Sequence, residues 1–384
     1  MLLGEYSDRP GGGGATLPHV VVLSITRAAR ATSTRDFVVT VHEEGTAIAW
    51  SSVVRIDADD EAFVLDAVRR LHRRSLDESE LTATQAKRLA VRLGKTLYQM
   101  FVGRAGTVAL KRVRPTAVML AVDETLLSLP WELMPGPDGD WLAEVPVGRI
   151  VTTGLIPARG RDPKIEDPVV RILVVANPTG DLDAATAEAE AIAGLEGTHG
   201  DVKVKVVVLP TAKATPAALR VALRDDDFDV LHVAGHGAFS SDAPGDSALA
   251  LAGGRLSADD VARLRWKAPP YIVFNSACES ARAVRGRRLV SRGGRANGLA
   301  AAFLAAGCEA YIGHFWPVDD WSAATFATTF YEALFRRVNV GGAVLEARQA
   351  VLGDFSSRGL LTGPGSVFVG DAGSAERRDL ARAA

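Results

Sequence analysis

The chain has 384 residues, 47% of them hydrophobic, and a formal net charge of -2. That length and apolar share suffice for one large or two ordinary domains, and so small a net charge argues against a general nucleic-acid binder. Two cysteines, Cys278 and Cys308, exclude a disulfide framework and a zinc site built of thiolates, and point to a reducing cytoplasm.

Residues 1–18 read as a flexible tail, because Gly11 to Gly14 offer no side chains to bury, and no apolar run of signal-peptide length stands there. Val20 to Ile25 begins the ordered pattern. Phe37 to Val41 and Thr46 to Trp50 follow as β-branched, apolar runs around Glu43-Glu44-Gly45, which predicts a hairpin. Helical spacing of Phe63, Val64, Val68 and Leu71 predicts a helix over Glu61 to Arg74, and a second amphipathic stretch runs from Thr82 to Phe101. A strand over Ala117 to Val122, the segment Leu129-Pro130-Trp131-Glu132-Leu133 and a connector rich in proline and charge near Pro157 to Pro168 complete a small α+β lobe, residues 19–165.

From residue 166 to 371 the pattern alternates between strand and helix, the signature of a mostly parallel sheet with helices on both faces. The predicted strands are Arg171 to Ala176, Val202 to Leu209, Asp229 to Ala234, Tyr271 to Asn275 and Glu309 to Phe315. Thr215 before Pro216 and Ser257 before Ala258 have the composition of helix N-caps, and further helices are expected over Asn297 to Ala306 and Trp321 to Arg337. Leu299 to Trp316 is broken by Glu309 and His314, so it does not read as a membrane span. Residues 372–384 read as a second tail.

Two short segments carry chemistry. Ala234-Gly235-His236-Gly237 and Asn275-Ser276-Ala277-Cys278-Glu279-Ser280 each follow an apolar run, so both reactive side chains are expected beyond strand ends, where such sheets bind ligands. A thiol is nucleophilic as thiolate, and a neighbouring imidazole both lowers its pKa and later protonates a leaving group. The competing reading makes His236 a turn residue and Cys278 a small buried hydrophobe. Cys308, within Gly307-Cys308-Glu309, reads as a packed side chain, and His232 as a core histidine with a hydrogen-bond partner. His314, at another strand end, reads either as core or as lining the cleft. No cluster has metal-ligand spacing and no glycine-rich loop has the lysine of a phosphate-binding loop, so neither metal nor cofactor is expected.

Several of these segments together resemble the CHAT family, caspase-like cysteine peptidases of the clan that includes separases and gingipains. The resemblance rests on Arg171 to Pro178, Glu188-Ala189-Glu190, Asp227 to Gly237, Ser276 to Ser280 and Phe303 to Gly307, with Leu129 to Glu132 upstream and Phe315 to Asp320 downstream, across residues 115–370. It implies a caspase-like sheet in which Cys278 is the nucleophile and His236 the general base and acid. The histidine stands upstream of the cysteine, as in caspases, where the gap is about 50 residues. A glycine after the histidine keeps side chains away from its N–H, so the Gly237 and Cys278 N–H groups are expected as oxyanion donors. Clan members that prefer basic residues place acids where Asp319 and Asp320 stand; Asp320 also reads as the N-cap of the next helix.

Between Cys278 and that family's next helix, Arg282 to Arg295 holds six arginines and no acid, among them Arg285, Arg287 and Arg288. It reads as a solvated charged loop, an anion-binding surface or, by analogy with caspase maturation, a processing segment. The resemblance implies an endopeptidase acting on a protein substrate in bacterial defence or regulated proteolysis. A repeat array or nucleotide-sensing module is not recognisable, so a separate sensor or activator protein is expected, with no membrane and no direct nucleic-acid partner. A catalytically silent adaptor is the alternative. The end, Gly365 to Asp371, departs from the family by lacking a tryptophan before its last strand.

Overall fold

The computed structural model of the chain describes residues 19–28, 35–76, 78–79, 81–123, 126, 129–139, 144–152, 158, 160–161, 169–238, 247–277, 298–358 and 361–372. Strands β1 (Val20–Arg27), β2 (Asp36–Glu43) and β3 (Ala49–Arg55) form an antiparallel meander. Burial alternates along β1 and β2, as expected of strands covered on one face. The hairpin connection is longer than the sequence pattern predicts. Thr46 turns the chain through a hydroxyl bond to the Glu43 carbonyl (2.7 Å) with Gly45 at φ 80°, so the second strand begins only at Ala49.

Helix α1 (Ala58–Ser75) is capped by Asp57, and α2 (Ala83–Phe101) by a reciprocal box between Thr82 and Gln85. A helix not foreseen in the sequence, α3 (Gly103–Val113), follows directly. Gly103, at φ 58°, breaks the two helices apart without ending helical structure. Strands β4 (Ala117–Asp123) and β5 (Val147–Thr152) extend the sheet in parallel with β1, and Trp131–Leu133 forms a one-turn 3-10 helix between them.

The second half supplies β6 (Val169–Ala176), α4 (Asp183–Ala193), β7 (Gly197–His199), β8 (Val202–Leu209), α5 (Pro216–Asp225) and β9 (Val230–Ala234). After the small sheet β10 (Gly237–Ala238), β11 (Ala248–Leu251) and β12 (Gly254–Ser257) come α6 (Ala258–Val261), β13 (Ile272–Asn275), α7 (Leu299–Ala305) and β14 (Ala310–His314). Helices α8 (Asp320–Phe335) and α9 (Val340–Arg358) precede β15 (Ser366–Val369). Thr215 and Ser257 cap their helices as their sequence context predicts.

Twelve described strands form one sheet in the order β3-β2-β1-β4-β5-β15-β14-β13-β9-β6-β8-β7. Its centre, from β14 through β13 and β9 to β6 and β8, is parallel throughout. Every residue of β9, β13 and β14 is buried, because helices cover both faces. On one face Leu173, Val175, Leu231, Val233 and Val273 pack with Leu219 and Leu223 of α5 and Phe303 of α7. On the other, Ile172, Val174, Val230, Ile272 and Phe274 pack with Ile192 of α4 and Phe326, Phe330 and Tyr331 of α8. Among the described residues no helix is long and apolar enough to cross a membrane.

Candidate functional site at the carboxyl edge of the sheet

Parallel pairing brings the carboxyl ends of β6, β9 and β13 side by side. Ala176 pairs with Ala234, and Val233 with Asn275. The Asn177 N–H donates to the Ala234 carbonyl (2.8 Å) and the Ser276 N–H to the Val233 carbonyl (2.9 Å), so the pairing continues just past the strands. His236 stands three residues beyond Val233 and Cys278 three beyond Asn275, on neighbouring strands. Cys278 lies outside the described residues, as do Arg285, Arg287, Arg288 and the rest of Arg282 to Arg295.

The turn that leaves β6 reaches over to His236. Asn177 adopts φ 38°, a left-handed conformation that asparagine tolerates, and its side-chain oxygen accepts from the Gly180 N–H (3.1 Å) and the Leu182 N–H (3.3 Å). Its amide donates to Thr186 in α4 (3.0 Å). Pro178 then lies against Gly235, where an added Cβ would be 2.9 Å from the proline Cδ. This contact explains a glycine before the histidine. The turn carries Asp181, whose Oδ1 is 3.1 Å from His236 Nε2. A hydrogen bond from Thr179, and secondarily one with His236, holds the Asp181 carboxyl below the usual carboxylate range.

Gly237 faces Leu249 across the β10–β11 ladder, while the Ala250 N–H donates to the His236 carbonyl (3.0 Å). That pattern makes Gly237 and Leu249 a non-hydrogen-bonded pair, so the Gly237 N–H points away from β11. On β13, the Asn275 amide donates to the Tyr311 hydroxyl (2.8 Å), and Asn275 Oδ1 accepts from the Ala277 N–H (3.1 Å). The second bond is an Asx turn that bends the chain immediately before Cys278.

Beneath this edge, on the α4 and α8 side, lies a buried polar layer. Glu188 Oε2 accepts from the Ser276 hydroxyl (2.9 Å), and Glu188 Oε1 is 3.3 Å from His232 Nε2. His232, fully buried, hydrogen-bonds through Nδ1 with the Tyr331 hydroxyl (3.1 Å) and stacks on Phe274. It is the partnered core histidine that its place in a strand predicts. His314 is also core, edge-on to Phe326, and does not line an open cleft. Burial lowers its pKa to about 4, against a smaller opposing pull from the Glu188 charge. Cys308 is buried, and burial pushes its thiol far above the ordinary range. Among the described residues, no group of three or more His, Cys, Asp or Glu side chains is disposed to hold a metal ion.

Asp319 takes the capping role that the sequence suggests for Asp320. Its Oδ1 accepts from the Ser322 N–H (3.2 Å), its other oxygen is 3.5 Å from Arg358, and Asp320 is the first helical residue of α8. The helix starts one residue early because Asp319 is the last residue with extended φ and ψ, the conformation a cap requires. Asp181, Asn177 and Glu188 are the site residues that pattern reading did not assign a role. Asn177 and Glu188 carried a signal as members of the segments Arg171 to Pro178 and Glu188-Ala189-Glu190 that resemble the family, and Glu188 also shares the buried face of α4 with Ala185, Ala189 and Ile192, where a carboxylate is out of place.

Comparison with known proteins agrees with this architecture. The CHAT domain model matches residues 91–359. A chain in the crystal structure of the Saccharomyces cerevisiae separase–securin complex at 3.0 Å resolution superposes with a TM-score of 0.61 and 12% identity, over 92% of this chain and 30% of that one. A second structure of the same complex, at 2.6 Å, gives a TM-score of 0.54 and 13% identity, over 91% and 30%. The chain thus spans about 30% of the length of those structural neighbours, and at such identity the likeness is one of fold. No match to a curated protein was found. A mainly parallel sheet of caspase-like type, with a histidine turn and the approach to a cysteine on adjacent strand ends, together with the family match across most of its length, makes this chain a member of the CHAT domain family.

Proposed function

We propose that the chain is a caspase-like cysteine endopeptidase in which His236 and Cys278 form the catalytic dyad. The observation that supports this reading is the pairing of Val233 with Asn275 on adjacent parallel strands, each three residues before one of the two, with Asp181 bonded to the His236 ring. Proton transfer from the Cys278 thiol to His236 yields a thiolate, which attacks the scissile carbonyl carbon. The Gly237 and Cys278 N–H groups receive the developing oxyanion; the outward direction of the Gly237 N–H supports its part. As the tetrahedral centre collapses, His236 returns the proton to the departing amine and a thioester remains. Water then attacks the thioester while His236 takes its proton; the carboxylate product leaves and the thiol is restored.

The substrate is a protein, and activity is gated by a separate sensor or activator protein in a reducing cytoplasm; bacterial defence and other regulated proteolysis are the settings that the family resemblance supports. Asp319 is engaged by its own helix and by Arg358; selection of a basic substrate residue by Asp319 or Asp320 rests on the clan analogy. Cleavage within Arg282 to Arg295, for instance beside Arg285, Arg287 or Arg288, belongs to the same reading. A Cys278→Ala chain that stays intact while wild type is cut there would support it.

A cysteine-directed activity probe and a diverse peptide library, applied to wild type, Cys278→Ala and His236→Ala, test the dyad. Wild type is expected to label at Cys278 and to cleave; both variants are expected to lose roughly a thousandfold or more in cleavage rate. Wild type that neither labels nor cleaves would favour a catalytically silent adaptor.

A further inference from the structure

Glu188 is a carboxylate where an apolar side chain would cost less. It is 4% exposed, lies on the sheet-facing side of α4 with Ala185, Ala189 and Ile192, and looks into a layer of Phe274, Tyr331 and His314. A buried carboxylate must be matched by donors or it destabilises the fold, and an apolar replacement is often neutral or better. What distinguishes this one is where its two oxygens lead. Oε2 accepts from the hydroxyl of Ser276, two residues before Cys278, and Oε1 lies 3.3 Å from Nε2 of His232, four residues before His236, in contact but outside hydrogen-bond geometry. One side chain therefore bonds the segment after β13 and abuts β9, the two strands that lead to the proposed reactive groups.

We propose that Glu188 is a positioning residue: with Ser276 and His232 it holds the ends of β9 and β13 at a fixed mutual height, and so sets the distance between His236 and Cys278. The role rests on the dyad reading. The Ser276 hydroxyl is the adjustable link, because its backbone N–H already holds β9 through the Val233 carbonyl and Ser276 is the central residue of the Asx turn from Asn275 to Ala277. Loss of the hydroxyl–carboxylate bond leaves the strand paired but frees the bend that delivers the cysteine. Misplacement of about 1 Å at reacting groups costs about a hundredfold in rate.

The test is alkylation of the full chain by iodoacetamide, read by mass spectrometry at Cys278 and accompanied by a melting curve for each variant. Cys308, buried and with its thiol held protonated, stays silent. Ser276→Ala and Glu188→Ala are each expected to slow alkylation by about tenfold or more, Glu188→Gln, which keeps an acceptor for Ser276, by less than about threefold, and the double variant Ser276→Ala/Glu188→Ala no more than Glu188→Ala alone. Should Glu188→Ala fail to fold, Ser276→Ala, which leaves the Glu188–His232 contact in place, decides. Folded Ser276→Ala reacting at the wild-type rate while His236→Ala reacts more slowly would overturn the positioning role and leave the dyad standing. Equal rates for wild type and His236→Ala would instead remove the dyad, and the positioning role with it.

Discussion

At the scale of single residues, the contact between His236 and Asp181 has a consequence that a reaction rate can read. The carboxylate hydrogen-bonds the ring and holds the imidazole of the proposed base in one orientation. Asp181→Asn keeps a polar group there but removes the charge, so alkylation of Cys278 should slow. At neutral pH the rate should fall by roughly threefold to tenfold. The Asp181 side chain is 63% exposed, so added salt should shrink the difference. An alkylation rate identical in wild type and Asp181→Asn would refute the contribution. As candidates, His236 and Cys278 could be singled out in the sequence because each stands just beyond an apolar run with a small residue beside it. Asp181 could not, because it meets His236 across 55 positions and only the Asn177 turn brings the two together.

At the scale of elements, the segment Leu129 to Leu133 shows a family block that is structural. Glu132 accepts from Arg149 Nε of β5 (2.7 Å) and from its Nη2, and Arg149 also donates to the Leu129 carbonyl (3.1 Å). Arg348 of α9, fully buried alongside, donates to the Ser366 hydroxyl (2.9 Å) and carbonyl (3.1 Å) of β15, and burial lowers its pKa to about 10. One carboxylate thus offsets two buried guanidinium groups. Glu132→Ala should destabilise the fold by about 3–5 kcal/mol, because it leaves buried charge without a counter-ion; denaturant unfolding measures it, and a loss below about 1 kcal/mol would count against this account. Most central strands and the helices capped at Thr82, Thr215 and Ser257 were readable from periodicity and cap chemistry. The start of β3 and the whole of α3 were not: Thr46 draws its segment into a turn, and helical structure resumes past Gly103, two outcomes of side-chain bonding and backbone angle that periodicity does not encode.

At the scale of the molecule, the front α+β lobe and the alternating second half share one sheet, meeting where β5 pairs with β15 at Arg149 and Val369. Acid stability of that whole is tied to His314. Its pKa falls from the ordinary 6.5 to about 4 in the fold, so between those values the unfolded chain binds a proton that the folded one does not. Stability should therefore decline as pH drops from about 6.5 to about 4, by about 3 kcal/mol from this group. His314→Gln, neutral throughout, should flatten that window in a plot of melting temperature against pH; an unchanged slope would place the acid response elsewhere. By itself the sequence determined most of the central elements and the chemical types at their ends, because hydropathy period, caps and reactive side chains are local properties. The tertiary structure alone decided which ends meet, that Asp181 faces His236, that Glu188 lies against both Ser276 and His232 and that His314 is core, because each depends on strand order and on helices packed from distant parts of the chain.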